Sequence, residues 1–161
     1  MSDIILVKLP GIDGECTLKG YDKYVEAMSY SHGVAMSVTN TVTNSERTAG
    51  KPMVQDFTFT KQLDLASPVL NQKCCQGTIL AEDTLVVVGR NDNGAVLPLI
   101  TYTLSNVVVS SINVGGGGGI PSETVSLNFT KIKWEYKAQK GSGGQDGTAP
   151  GVWDVAKNNA A

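Results

Sequence analysis

Residues 85–105 read LVVVGRNDNGAVLPLITYTLS, and this stretch gives the strongest indication of the fold class. Its first four residues are apolar without interruption, which is typical of a strand buried on both faces. Residues 91–94, Asn-Asp-Asn-Gly, then give a strong signal for a tight hairpin turn. After the turn, bulky residues at 100, 102 and 104 alternate with hydroxyl residues at 101, 103 and 105, the period of a half-buried strand. The stretch therefore predicts two antiparallel strands, over 78–90 and 96–105.

Strand patterns also cover most of the remaining chain, which is rich in β-branched residues. We predict further strands over 3–9, 24–37, 53–61, 107–114 and 124–137. The parity of the apolar residues changes between Phe129 and Ile132, which indicates a β-bulge or a strand that is apolar on both sides. One short helix begins at Ser67, an N-cap residue followed by Pro68, and ends at Gly77.

About seven strands and one helix make this a mainly β fold. We expect an antiparallel β-barrel with one short flanking α-helix, because closing the sheet removes its exposed edges. A β-sandwich is the alternative. The barrel domain is predicted to cover residues 1–138, and the Gly-rich residues 139–161 to form a loosely ordered C-terminal tail.

Two segments have features beyond strand formation. In Tyr24–Ser37 the even positions are mostly bulky and the odd positions are small, so Ser29 and Ser31 share the small face of the predicted strand. Residues 39–52 are polar and too long for a hairpin turn, and such loops are often functional. The five-glycine run 115–119 lacks the Lys and helix of a phosphate-binding loop, so we interpret it as a flexible connection.

Composition excludes several classes of function. The chain has 161 residues, a formal net charge of -2 and only 17% charged residues, which gives no basic excess for nucleic-acid binding and no polybasic membrane anchor. No apolar stretch is long enough to span a bilayer, and we expect no cleaved signal peptide, because an acidic residue and not a basic one precedes the short apolar run at 4–7. Three cysteines and the single His32 do not form a metal-ligand pattern. We expect no cofactor, no metal site and no enzymatic activity, and we expect His32 to be packed in the structure.

Three stretches together resemble one protein family. They are VQDFTFTK at 54–61 with Asp64 and Ser67-Pro68 after it, LSNVVVSS at 104–111, and ETVSLNF at 123–129 followed by Trp134-Glu135-Tyr136. The combination is similar to the Hcp (haemolysin-coregulated protein) family, the tube protein of bacterial type VI secretion systems. The resemblance covers nearly the whole chain, and His32 departs from the aromatic residue usual at its position.

The resemblance implies a structural role and a set of partners. Family members form hexameric rings that stack into a tube, which a contractile sheath propels and which is itself exported. The implied partners are further copies of the chain, effector proteins held in the lumen, and the sheath and spike proteins. The implied route is from the bacterial cytoplasm to the extracellular space or a target cell. The alternatives are a phage-like tail tube subunit and a monomeric small-molecule-binding β-barrel.

The resemblance also directs attention to two sets of residues. We predict that Ser29 and Ser31 face the ring lumen and contact effectors, with ordinary packing against a neighbouring subunit as the alternative. We further predict that the segment matching the family's extended loop contacts an adjacent subunit or the next ring. This set comprises Thr43, Asn44, Ser45, Glu46, Arg47 and Thr48.

Overall fold

The structure is a computed structural model that describes residues 3–40, 47–139 and 145–160. Its single helix in these ranges is α1 (Ser67–Gln76). The long strands are β1 (Ile4–Lys8), β8 (Phe57–Gln62), β9 (Thr84–Asp92), β10 (Ala95–Ser105), β11 (Val108–Gly115), β12 (Ser122–Asn128), β13 (Lys131–Gln139) and β14 (Gln145–Asp154). The short strands are β2 (Val25–Ala27), β3 (Ser29–Ser31), β4 (Val34–Ala35), β5 (Val38–Asn40), β6 (Arg47–Ala49) and β7 (Met53–Val54).

The strands form two main sheets and two small ribbons. The larger sheet has the order β14-β13-β10-β9-β1-β2, and the smaller has the order β11-β12-β8-β3. β4 pairs with β7 and β5 with β6 in two-stranded ribbons. The pairings are antiparallel throughout the described strands. The predicted mainly antiparallel β fold with one short helix is confirmed.

The β9–β10 pair has the predicted hairpin. Asp92 is opposite Ala95, and Asn93 and Gly94 both have positive φ, at 50° and 79°. Positive φ at both central residues is the type I′ geometry, which matches the right-handed twist of the flanking strands. Residues 86–88 of the apolar run are buried on both faces, since Val86 and Val88 enter the main core while Val87 enters a second cluster with Leu6 and Cys16.

Two strands predicted as continuous are each divided between the sheets. The segment 24–37 leaves the larger sheet after Ala27, and Met28, whose N–H donates to Thr60 O at 2.7 Å, joins β2 to β3 in the smaller sheet. The segment 124–137 turns at Phe129 and Thr130, between β12 and β13. The parity change there is therefore neither a bulge nor a doubly apolar strand. It marks the passage of the chain from one sheet to the other, which keeps the bulky side chains directed at one shared core.

The main core lies between the two sheets and under α1, which packs against β11. Among its fully buried side chains are Phe57, Phe59, Leu70, Leu104 and Leu127. Gly77 ends the helix in the left-handed conformation, at φ 62°, and its N–H donates to the carbonyls of Lys73 and Cys74. This is the predicted C-terminal signal.

Two further predictions need correction. Ser67 is not the N-cap: Ala66 holds that position without a side-chain cap, because the Ser67 hydroxyl is used in a buried polar cluster. The predicted loose tail contains a strand, since β14 pairs with β13. Lys131 is opposite Asp154 at one end of this pairing, and Gln139 is opposite Gln145 at the other. Its Gly- and Pro-rich sequence conceals this pairing, but Trp153 packs on the main core and fixes the strand in place.

Candidate functional site

The outward side of the smaller sheet carries an uncharged polar surface. The alternation that directs Phe57, Phe59 and Tyr30 into the core directs the residues between them outward. Register then brings these outward residues together in two rows across four strands. The rows are Ser29–Thr60–Thr124–Asn113 and Ser31–Thr58–Ser126–Ser111. We call these eight residues the hydroxyl face.

The predicted Ser29 and Ser31 lie at one edge of the hydroxyl face. Both are exposed, whereas Thr58, Thr60, Thr124 and Ser126 are half-buried. The Thr58 and Ser126 hydroxyls lie 3.1 Å apart, within hydrogen-bonding distance. Sequence reasoning identified only the two serines of this surface. The signal for the rest was present, since hydroxyl residues alternate with apolar ones in 57–60 and 124–127, but their juxtaposition depends on strand register.

Asp56 closes one end of the hydroxyl face, and both of its carboxylate oxygens are in use. Ser110 Oγ donates to Asp56 Oδ2 at 2.8 Å, and Asn128 Nδ2 donates to Asp56 Oδ1 at 2.9 Å. The outward side of β13 contrasts with this arrangement, since it carries Lys131, Lys133, Glu135 and Lys137. The hydroxyl face and the outward side of β13 thus differ in charge.

The predicted loop is described in part. Thr43, Asn44, Ser45 and Glu46 lie outside the described residues. Arg47 and Thr48 belong to β6, which pairs with β5 through Asn40–Arg47, Thr39–Thr48 and Val38–Ala49. The segment is therefore a hairpin arm at its base rather than an irregular loop.

His32 is packed, as predicted. Its ring lies about 6 Å from the rings of Phe57, Tyr102, Phe129 and Trp134, at 5.9, 6.1, 5.9 and 6.1 Å. Nδ1 is 3.2 Å from Gln55 O, and Nε2 is buried without a partner in the described residues. Burial lowers the pKa of His32, and the hydrogen bond to the Gln55 carbonyl opposes this to a smaller extent.

A buried polar cluster joins α1 to the smaller sheet, and sequence reasoning did not find it. Lys61 Nζ donates to Glu123 Oε2 at 2.7 Å, to Ser67 Oγ at 2.9 Å and to Asp64 Oδ1 at 2.9 Å. Ser67 Oγ lies 2.9 Å from Glu123 Oε2. Lys61 and Glu123 are 0% and 1% exposed. The sequence contained a signal for this cluster. Lys61 follows the buried Phe57 and Phe59 at the next inward position of β8, and Glu123 precedes the buried Val125 and Leu127 on β12. Each places a charge where the alternation requires a buried residue.

The described ranges contain no group of three or more His, Cys, Asp or Glu side chains placed to hold a metal ion. In the same ranges no helix has the length and apolar character needed to cross a membrane.

The comparison with known proteins decides the family. The sequence profile described as "Type VI secretion system effector, Hcp" matches residues 6–136. Protein hcp1 of Pseudomonas aeruginosa is 35% identical to this chain over 111 residues, which are 67% of this chain and 68% of that protein. This chain belongs to the Hcp family. As an Hcp protein it is a tube subunit of a type VI secretion system, and the family's members are secreted by that apparatus. The phage-tail and monomeric-barrel alternatives are not favoured.

Solved structures of Hcp proteins share the fold. A structure described as that of a type six secretion system protein has a TM-score of 0.90 at 24% identity, over 98% of this chain and 99% of its own. Hcp1 from Salmonella typhimurium has a TM-score of 0.80 at 24% identity over the full length of both chains. A type VI secretion system effector from Yersinia pestis has a TM-score of 0.75 at 23% identity, over 94% and 99% of the two chains. The Hcp fold thus includes the residues of β14, which lie beyond the end of the profile match.

Proposed function

We propose that this Hcp chain forms a hexameric ring, that rings stack into the secretion tube, and that the hydroxyl face lines the lumen. The observation that carries the proposal is the absence of charge from the eight residues of that face. A neutral hydroxyl wall neither repels nor traps a passing protein by charge, whereas a wall of like charges would select cargo strongly. The charged side of β13 then faces outward, towards the sheath.

The proposed role is structural and involves several partners. The ring is made of copies of this chain, effector proteins are held in the lumen, and the sheath and spike proteins surround and cap the tube. We propose assembly in the bacterial cytoplasm and export through the type VI apparatus, without enzymatic activity or a cofactor. We assign the contact with effectors to Ser29 and Ser31, because they are the exposed hydroxyls at the edge of the face.

Substitution at Ser31 tests the lumen assignment. We expect Ser31→Tyr to reduce co-purification of effectors, because the tyrosine side chain would occupy space above the hydroxyl face. Light scattering should still find particles of six chains. Thr103→Tyr is the matched control, since Thr103 is a strand hydroxyl on the outward side of the larger sheet. Equal effector binding by both variants would contradict the assignment of Ser31, and a monomeric wild-type protein would contradict the ring.

A further inference from the structure

The exposed large hydrophobic side chains are concentrated at two places. Four of them lie on or beside the short strands between β3 and β8. We call this set the apolar ribbon: Val34, Met36, Val38 and Met53. Five others surround the far end of the smaller sheet, and we call this set the apolar rim: Met28, Leu63, Leu65, Val114 and Ile120. Met53, Leu65 and Ile120 are each about two-thirds exposed, at 70%, 68% and 67%. Single exposed hydrophobic residues are ordinary on a protein surface, but two such groups indicate contact surfaces.

The two surfaces lie at opposite ends of one sheet. At one end of the smaller sheet, Ser31 is opposite Thr58. The chain continues past this end into the β4–β7 pair, where Val34 of the apolar ribbon is opposite Val54. The rim lies at the other end, where Gln62 is opposite Ser122 and Leu63 N–H donates to Pro121 O. The six residues of β8 separate the ends by about 20 Å. A single copy therefore does not place its own ribbon on its own rim.

Charge at the two ends is complementary. Beside the rim, a cavity of about 260 Å³ is lined by Met28, Leu63 and three carboxylates, those of Glu15, Glu26 and Asp64. Asp64 is engaged by Lys61, but within the described part of the chain neither Glu15 nor Glu26 has a basic group within 4 Å. The ribbon carries an exposed basic residue, Lys51, two positions before Met53.

We propose that the apolar ribbon of one copy docks on the apolar rim of a second copy, with Lys51 of the first copy placed at the carboxylates of Glu15 and Glu26 in the second. The contact joins two different surfaces, so it is heterologous, and because these surfaces lie at opposite ends of one sheet it repeats from copy to copy as an open stack. The repeat runs along β8, so each contact continues the hydroxyl face of the preceding copy. This inference rests on the proposed function, since it assigns the surfaces through which rings stack.

Photo-crosslinking tests the contact directly. A benzoylphenylalanine at position 65, in a mixture of isotopically light and heavy full-length chains, is expected to form mixed crosslinks to residues 50–54 of another copy. Mass spectrometry identifies the crosslinked peptides whether or not the chains form rings. Crosslinks from position 65 exclusively to other segments would overturn the inference. Placement of the same photo-reactive residue at Ile79 is the control, because Ile79 is similarly exposed, at 59%, and belongs to neither surface.

A charge exchange gives a second test. Lys51→Glu and Glu26→Lys should each reduce the sedimentable stacked fraction about tenfold, because like charges would then meet across the contact. Combining the two substitutions in one chain should restore most of that fraction. Unaltered stacking in both single variants would contradict the inference while leaving the ring intact. Loss of six-chain particles in the unmodified protein would instead contradict the proposed function.

Discussion

At the scale of single residues, the His32 ring places a buried polar atom among aromatic rings. A carbonyl oxygen only accepts, so the Nδ1–H group donates to Gln55 O, and Nε2 is a buried acceptor without a donor among the described residues. The rings around His32 are uncharged, and Tyr102 among them stays neutral because burial raises its pKa. A second proton on this imidazole would add a charge within an aromatic pocket.

His32 therefore makes stability depend on acidity. Its pKa is lowered in the folded state, so the unfolded chain binds more protons once the pH falls below about 6.5. Stability from neutral His32 is complete above that pH and is lost as the pH falls towards the folded value. We expect His32→Phe to lose less stability than the wild type between pH 7.5 and pH 5 in urea unfolding. Parallel losses in the two proteins would show that other groups cause the acid sensitivity.

At the scale of elements, the Lys61–Glu123 pair determines how α1 attaches to the smaller sheet. Lys61 lies on β8, Glu123 on β12 and Ser67 in the first turn of α1, so a single cluster connects three elements. The cluster uses the hydroxyl that the sequence suggested for capping the helix. Charges are costly to bury, and this geometry offsets the cost by giving the ammonium group several acceptors.

Removing one charge of this pair should be more harmful than removing both. We expect Lys61→Met or Glu123→Leu to destabilise the protein by about 3–5 kcal/mol, because each leaves the other charged group buried without its partner. Lys61→Met combined with Glu123→Leu should cost much less than the sum. Denaturant unfolding of the four proteins gives the coupling energy. Additive costs would mean that the two residues act independently.

At the scale of the whole molecule, the structure shows which surfaces account for the low charge content. Charged residues make up 17% of the chain, and the structure shows neutral polar groups on one outer surface and exposed hydrophobic groups at two ends. The cores of subunit interfaces are depleted in charge, so a chain that buries several surfaces on assembly needs few charges. The composition is thus consistent with a subunit rather than an isolated molecule.

The hairpin arm tests this assembly. We expect deletion of residues 43–48 to reduce ring stacking, because it removes Arg47 and Thr48, two of the three β6 residues that pair with β5, while the smaller sheet keeps its pairings. Light scattering should still find particles of six chains, and electron microscopy should find shorter stacks. Full-length tubes from the deleted protein would show that the arm is merely exposed.

Secondary structure was predictable from the sequence at positions where neighbouring residues fix the local conformation. The Asn93-Gly94 turn, the Gly77 helix end and the alternation of Phe57 and Phe59 all depend on neighbouring residues, and each was predicted correctly. Packing of His32 was also predictable from the bulky face of its strand. The family was recognised from the stretches at 54–61, 104–111 and 123–129 together, because each matches the family over several successive residues.

Contacts between residues distant in sequence were not predictable, because they depend on how the strands pair in the folded chain. Met28 and the Phe129-Thr130 turn transfer the chain between sheets, and a pattern of period two does not reveal such a transfer. The hydroxyl face requires the register of four strands, and the Lys61–Glu123 pair requires two strands 62 residues apart in sequence to lie side by side. Register and burial are properties of paired segments, so they arise only when the sheet is assembled.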